Sequence, residues 1–295
     1  ESAAASEEAT EATGEAEASD AQLVIAGGDS AGLIAAVQAA AEGMDPSKIL
    51  ILAPGEELAA DMTEMAPYVN AADTDEQFQA NLTDDFEIYL SDIMTAGNNT
   101  NNSDMAAYVS ENSEEAKDWL ADTLGMEYGD LAQEAGSSVA RSFPAKEENL
   151  NELAQEALLK KVEELKIPVE YKAELKSVAY NEEGALDRIT VTVDGKDQEI
   201  DCLALVATDV SLIPVFEESQ VYEADGKAAA LVVSNNAEQL NKDSGELING
   251  LYAAGPILSA AVDGEGVLSG NELTEAVMFG STAGTEAAVY VSDNQ

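Results

Sequence analysis

Histidine is absent from all 295 residues of this chain, and cysteine occurs once. Without an imidazole there is no Ser-His-Asp or Cys-His catalysis, no His-ligated zinc and no His-ligated haem. A lone Cys202 excludes an intrachain disulfide. It stands in the apolar run DCLALVA, where a thiol packs as a small core residue rather than acting as a nucleophile. Positive charge is also scarce: 13 Lys and Arg face 59 Asp and Glu, for a formal charge of −46 at pH 7. Such a chain repels nucleic acid and anionic lipid surfaces. The balance fits a solvated surface suited to an extracellular, saline or alkaline setting. No loop has the EF-hand ligand spacing that would turn this acid into a calcium site, and no metal site is expected. Long hydrophobic runs are missing too, so no transmembrane segment is expected. The sequence starts at Glu1 with neither an initiator Met nor a signal sequence, as a processed or trimmed chain would.

What remains is enough for a full core, since 45% of the residues are hydrophobic. Residues 1–20, ESAAASEEATEATGEAEASD, carry no large apolar side chain and are expected to be a disordered acidic spacer. Residues 21–295 are expected to form a single domain. Its organising stretch is Leu23 to Gly32, LVIAGGDSAG, an apolar strand running into a glycine turn that opens an Ala-rich helix, Ala31 to Glu42. A second strand, Lys48 to Leu52, completes a βαβ unit. A dinucleotide-binding turn of this kind wants Gly at its first, third and sixth positions. Here these are Gly27, Asp29 and Gly32. Asp29 sets a side chain and a negative charge where two phosphates would lie against the helix N-terminus. The second strand ends in Ala53, where an acid would normally hold the ribose hydroxyls.

Helical spacing then predicts helices over Asp84 to Thr95, Asp104 to Leu124 with Trp119 on the apolar side, and Glu147 to Lys166 ended by Pro168. NNTNNSD (Asn98 to Asp104) caps the second of these. From VEYKAEL onward the period changes to two, and Glu183-Gly184 and Asp194-Gly195 turns predict a small antiparallel layer. Leu203 to Ala207 reads as a buried strand returning to a parallel sheet, and Gly250 to Ala254 as the last strand. Helix Asn271 to Tyr290 closes the chain. The predicted class is α/β: a Rossmann-like fold with a central parallel sheet, a small antiparallel β layer and a helical insertion.

Taken in order, these pieces resemble the FAD-dependent fumarate reductase and succinate dehydrogenase flavoprotein family, especially its flavocytochrome-like soluble members. GGDSAGLIAAVQAAAEG is similar to the family's FAD-binding turn and VNAADTDEQ to its MNAA-T--Q loop. SENSEEAKDWLADTLGMEY is similar to its helix ending in WL---G, RSFP to R-H-P, and LVATDV to VLATGG. INGLYAAG and SGNELTEAVMFGSTAG are similar to its closing flavin-contact segment. The resemblance runs from about Gln22 to Tyr290. It implies FAD contacts at Gly27, Gly28, Asp29, Ser30, Ala31, Gly32, Ala53, Asn70, Ala71, Ala72, Thr208, Gly255, Ser269, Gly270 and Asn271, all vestigial or weak in this chain.

Departures from the family pattern fall on the residues that carry its chemistry. The family's substrate-binding His aligns with Phe143, its clamp Arg with Val267, its ATGG glycines with Asp209 and Val210, and the acid after GLYAAG with Pro256. Between Thr208 and Gln220 the family carries a large capping domain of which only a short link is left. Arg141 could act as an anion contact or as half of a structural ion pair. No catalytic residue is assigned.

Two functions fit these residues. In one, the chain is a pseudoenzyme that keeps the flavoprotein sheet as a frame, binds no FAD, and serves as a binding or interaction module for an unknown protein or small molecule. Its setting would be extracellular, the acidic spacer following a lipid anchor upstream of residue 1 as in surface lipoproteins. In the other, it is a genuine FAD or FMN oxidoreductase or electron carrier with an atypical site. The vacated crevice could also take a smaller ligand.

Overall fold

A computed structural model describes residues 20–58 and 61–295; the acidic spacer expected over 1–20 lies almost wholly outside them. The central sheet is built on β1 (Leu23–Ala26), β2 (Ile49–Ala53) and β9 (Ala204–Ala207), with the sequences LVIA, ILILA and ALVA, every residue of which is buried. Strands that are apolar on both faces have nowhere to sit except inside a sheet covered by helices on both sides. β1 lies between β2 and β9, parallel to both. Outside β9 comes β13 (Leu247–Ala253), also parallel, and outside that the antiparallel edge strand β12 (Glu238–Leu240).

The opposite edge corrects the sequence reading of VEYKAEL. Val169–Tyr171 is β5, which adds to β2 as a parallel edge strand, and only the following residues enter the antiparallel layer. Lys172 takes a left-handed backbone conformation, φ 54°, so the chain turns between the two sheets there and cannot continue as one strand. The separate layer is β6 (Ala173–Tyr180), β7 (Leu186–Val193) and β8 (Lys196–Asp201), all antiparallel. Gly195 follows Asp194 at positive φ in the second of its turns.

Helix α1 (Ser30–Ala41) follows β1, and its sequence SAGLIAAVQAAA leaves a nearly flat surface. Against it lies the closing helix α8 (Asn271–Asp293). A Cβ added at Gly284 would stand 2.4 Å from the carbonyl oxygen of Ala35, so the two backbones touch where no side chain fits.

The helical insertion holds α2 (Asp75–Gln79), α3 (Phe86–Ala96), α4 (Ser103–Glu111) and α5 (Ser113–Leu124). The single helix expected over Asp104 to Leu124 is therefore two. Asn112 separates them: its side-chain amide donates to the Tyr108 carbonyl at 2.8 Å, and the next residue, Ser113, turns its hydroxyl to accept the Ala72 N–H at 3.0 Å. Short polar side chains that bond the local backbone interrupt a helix in this way. Asn102 caps α4 as expected, accepting the Asp104 and Met105 N–H groups. Two short strands, β3 (Tyr68–Asn70) and β4 (Ser142–Pro144), pair antiparallel and bring the NAA loop beside RSFP.

α6 (Leu150–Leu165) precedes β5. The link after β9 is a 3-10 turn, Val210–Val215, followed by the hairpin of β10 (Val221–Ala224) and β11 (Lys227–Leu231). α7 (Pro256–Asp263), which sequence periodicity did not reveal, follows β13. Cys202 is buried as expected, and loss of solvent pushes its thiol up to about 12.

Candidate functional site

β1 is flanked by β2 on one side and β9 on the other, and the chain leaves these neighbours in opposite directions. The crevice beyond the carboxyl end of β1 is therefore the switch point where open α/β sheets take ligands. Gly27 turns the chain there at φ 147°, and a Cβ on it would lie 1.8 Å from Thr208 Oγ1. A Cβ on Gly32 would lie 2.6 Å from the Gly27 carbonyl. Both glycines are thus required by the packing of the turn, whatever occupies the crevice.

Asp29 is the N-cap of α1. Its carboxylate accepts the Gly32 N–H at 3.0 Å and the hydroxyl of Thr208, which sits at the end of β9. The loop after β2 supplies a second acid: Asp61, in a left-handed conformation, accepts the Ser30 N–H at 3.2 Å. The orphan amides of the α1 N-terminus, which in a dinucleotide fold point at pyrophosphate, are covered here by two carboxylates of the chain itself. Burial raises the pKa of both acids, that of Asp29 to about 6, because the negative form loses hydration faster than its hydrogen bonds replace it. A pyrophosphate would need the same amides and would meet both charges, so these residues do not fit the phosphates of FAD.

The remaining expected contacts fall into two groups. Gly27, Gly28 and Asp29 line an acidic cleft of about 460 Å³ with Glu57, Asp61 and Asp209. Ala53 is buried beneath it, with its Cβ 3.3 Å from where a Cβ on Gly28 would be. Ala31 and Gly255 touch across the neck between α1 and α7; a Cβ on Gly255 would meet the Ala31 Cβ at 2.5 Å. Pro256 is the first residue of α7, where its missing N–H costs nothing.

The second group sits at the α8 N-terminus and is tied up internally. Asn70 donates to the Ser269 carbonyl at 2.9 Å and to Asn271 Oδ1 at 3.0 Å, and accepts the Ser142 hydroxyl at 2.8 Å. Thr274 Oγ1 receives the Asn70 N–H, and Tyr89 donates to Asn271 at 2.8 Å. Ala71 and Ala72 are buried, their N–H groups held by the Arg141 carbonyl and Ser113. Gly270 turns at positive φ into α8.

Arg141 belongs to an ion-pair network. It is fully buried, 2.8 Å from Asp84 and 3.0 Å from Asp92, with its guanidinium 4.3 Å from the centre of the Tyr89 ring. Phe143 is buried between the Tyr128 ring and the Lys117 ammonium. Val267 is exposed and lines neither this cleft nor the smaller cavity beside it.

Sequence reasoning missed Asp61 and, beside it, Glu275. Nothing in the loop DMTE marks Asp61. Glu275 did carry a signal, because it stands in a run of α8 that is buried from Leu273 to Gly280, and an acid inside such a run faces protein.

The fold is similar to that of FAD-binding flavoproteins. Residues 22–152 match the FAD binding domain family. Over 120 residues the chain is 30% identical to the NADH:fumarate oxidoreductase of Klebsiella pneumoniae (strain 342), a match covering 41% of this chain and 12% of that protein. It is 28% identical over 120 residues to the fumarate reductase (cytochrome) of Shewanella frigidimarina, covering 41% of this chain and 20% of the relative. The matched stretch thus spans a fifth or less of these relatives.

Among solved structures, the open conformation of a flavocytochrome c3 fumarate reductase superposes with a TM-score of 0.74 at 14% identity, over 92% of this chain and 78% of that one. The 3-ketosteroid-delta4-(5alpha)-dehydrogenase of Rhodococcus jostii RHA1 gives 0.70 at 15%, over 91% and 96%. At such identities the likeness is one of fold. The resemblance drawn from the sequence blocks to the fumarate reductase and succinate dehydrogenase flavoproteins holds.

Proposed function

We propose that this chain is a binding or interaction module on a flavoprotein frame that has given up FAD and dicarboxylate chemistry. The observation that carries it is the pair Asp29 and Asp61 bonded to the Gly32 and Ser30 N–H groups. Hydride transfer to a dicarboxylate needs a bound flavin, a cationic clamp and a proton donor. In this chain the amides of the phosphate site are bonded to acids, the aligned His and Arg positions hold Phe143 and Val267, and Arg141 is fully buried with its Nη2 on Asp84 and Asp92. The setting we propose is extracellular, supported by the charge of −46 and the acidic spacer before residue 21.

A second function, a flavin protein with an atypical site, is favoured by the FAD binding domain match over residues 22–152. The absorbance of the purified protein separates the two. The module is expected to be colourless, to release no FAD or FMN on denaturation, and to reduce no fumarate with an artificial electron donor. Stoichiometric flavin in the denatured supernatant would overturn it.

A further inference from the structure

The segment that joins α2 to α3 is bound tightly to the core, yet it leaves its largest apolar side chains in water. Gln77, the last member of the α2 capping box, donates from Nε2 to Asp84 at 2.7 Å and to the Ala140 carbonyl at 2.9 Å. Asp84 in turn holds the buried Arg141 at 2.8 Å. Residues 77–84 therefore form a loop with both ends fixed. Phe78 on it is 83% exposed and Leu82 37%, and Phe86, just past the anchor, is 43% exposed.

α2 ends in a Schellman motif: the Leu82 N–H reaches the Gln77 carbonyl at 2.9 Å and the Asn81 N–H the Phe78 carbonyl at 3.0 Å, with Asn81 at φ 56°. An apolar residue at the Leu82 position of this motif commonly packs on an apolar residue in the last turn of the helix. The residues that would receive it are Glu76 and Gln77, so Leu82 has no apolar partner within the motif and stays exposed. Scattered apolar residues at a surface need no explanation. Three large ones on a single anchored segment have the composition of an interface core.

The border of this segment is acidic. Asp73, Asp75, Glu76 and Glu87 are exposed, and residues 73–87 include no Lys or Arg. Asp75 lies three residues before Phe78 on α2, on the same helix face. Lys117, which reaches Glu76 at 3.1 Å, has a side chain only 8% exposed. A second copy of the chain would set acid against acid here, and nucleic acid or an anionic lipid surface would be repelled in the same way. The complement is an apolar face bordered by Lys and Arg.

We propose that Phe78, Leu82 and Phe86 dock a cationic amphipathic segment of a protein partner, its apolar face over these three side chains and its Lys and Arg against Asp75, Glu76 and Glu87. None of these residues lines the acidic cleft. The inference rests on the proposed function as an interaction module, for which it names the kind of partner.

Fluorescence anisotropy of a labelled Leu/Lys peptide patterned as an amphipathic helix, titrated with the full chain at physiological salt, tests it. A scrambled peptide of the same composition is titrated in parallel. The patterned peptide is expected to bind about tenfold more tightly or better, and Phe78→Ser with Phe86→Ser should remove that advantage by taking away the apolar area. Asp75→Asn with Glu87→Gln should weaken the patterned peptide about threefold at physiological salt and less at high salt. Melting curves confirm folding, and Phe78→Ser, whose side chain makes none of the anchoring bonds, stands alone if the double variant does not fold.

Equal binding of the two peptides, or patterned binding undiminished in the folded Phe variants, overturns the inference. So does binding to neutral phosphatidylcholine vesicles that is lost in Phe78→Ser, which would assign the segment to a membrane surface. The absorbance of the same sample keeps the two proposals apart. Failure of the peptide in a colourless sample overturns this inference alone, whereas bound flavin overturns the proposed function on which it rests.

Discussion

Thr208 donates its hydroxyl to the Asp29 carboxylate, joining the end of β9 to the first turn of α1 across the mouth of the sheet. In a dinucleotide-binding frame this mouth belongs to a ligand. Here two side chains of the protein meet at its edge, beside the open acidic cleft, and one of them is an acid whose charge is poorly solvated.

Stability should therefore depend on the charge of Asp29. Its folded pKa of about 6 lies above the ordinary 3.8, so the folded state holds the proton more tightly than the unfolded one. The penalty is absent at low pH, grows as pH rises from about 4 through 6, and is complete above that. Asp29→Asn keeps an acceptor for the Gly32 N–H and removes the charge. It is expected to gain about 1 to 3 kcal/mol at pH 7.5 and nothing near pH 4. Urea unfolding of both proteins at the two pH values reads the difference; an equal offset at both would assign the effect to packing.

Replacing Arg141 should be among the most damaging single changes. Arg141→Met would leave Asp84 and Asp92 without their cation in a buried pocket and is expected to cost about 3 to 5 kcal/mol. Arg141→Met combined with Asp84→Asn should recover part of the loss. Chemical denaturation of the single and double variants checks this, and a single variant within 1 kcal/mol of wild type, about the value of an exposed pair, would show that solvent reaches the cluster.

Gly27 should be needed without any cofactor. Gly27→Ala meets Thr208 Oγ1 at 1.8 Å and a backbone angle of φ 147°, and a loss of about 1 to 3 kcal/mol from backbone strain alone is expected. Thr208→Ala alone removes the hydroxyl and its bond to Asp29, so the double variant is compared with that single variant, below which it should melt by the backbone strain that remains. A neutral Gly27→Ala would mean that the glycines of this turn are relics of a phosphate site and have no packing role.

Restoring FAD affinity should take two changes. Asp29→Gly frees the Gly32 N–H but leaves Asp61 on the Ser30 N–H, so little binding is expected from it. Asp29→Gly with Asp61→Asn removes both charges, and FAD affinity should rise by about tenfold or more over the single variant, the value of a charge-assisted bond. Ala53→Glu should tighten it again through the ribose. Three flat titrations would mean that the cleft has closed on its own side chains.

The central parallel strands and the family likeness were legible in the sequence, because strands buried on both faces read as unbroken apolar runs and the glycine turn is local. So was the mismatch at Asp29, a single residue in a fixed spacing. Whether that residue was a bare obstacle or a satisfied cap depended on Thr208, far along the chain, and on Asp61, which the backbone brings to the same helix end. Arg141 likewise could be a ligand contact or an ion pair until Asp84 and Asp92 were seen against it. The break at Asn112 and the separation of β5 from β6 were decided by side-chain and backbone bonds of single residues, which periodicity averages away. Which carboxylates face a cavity is a property of packing between α1, α7 and α8, and only the tertiary structure brings those segments together.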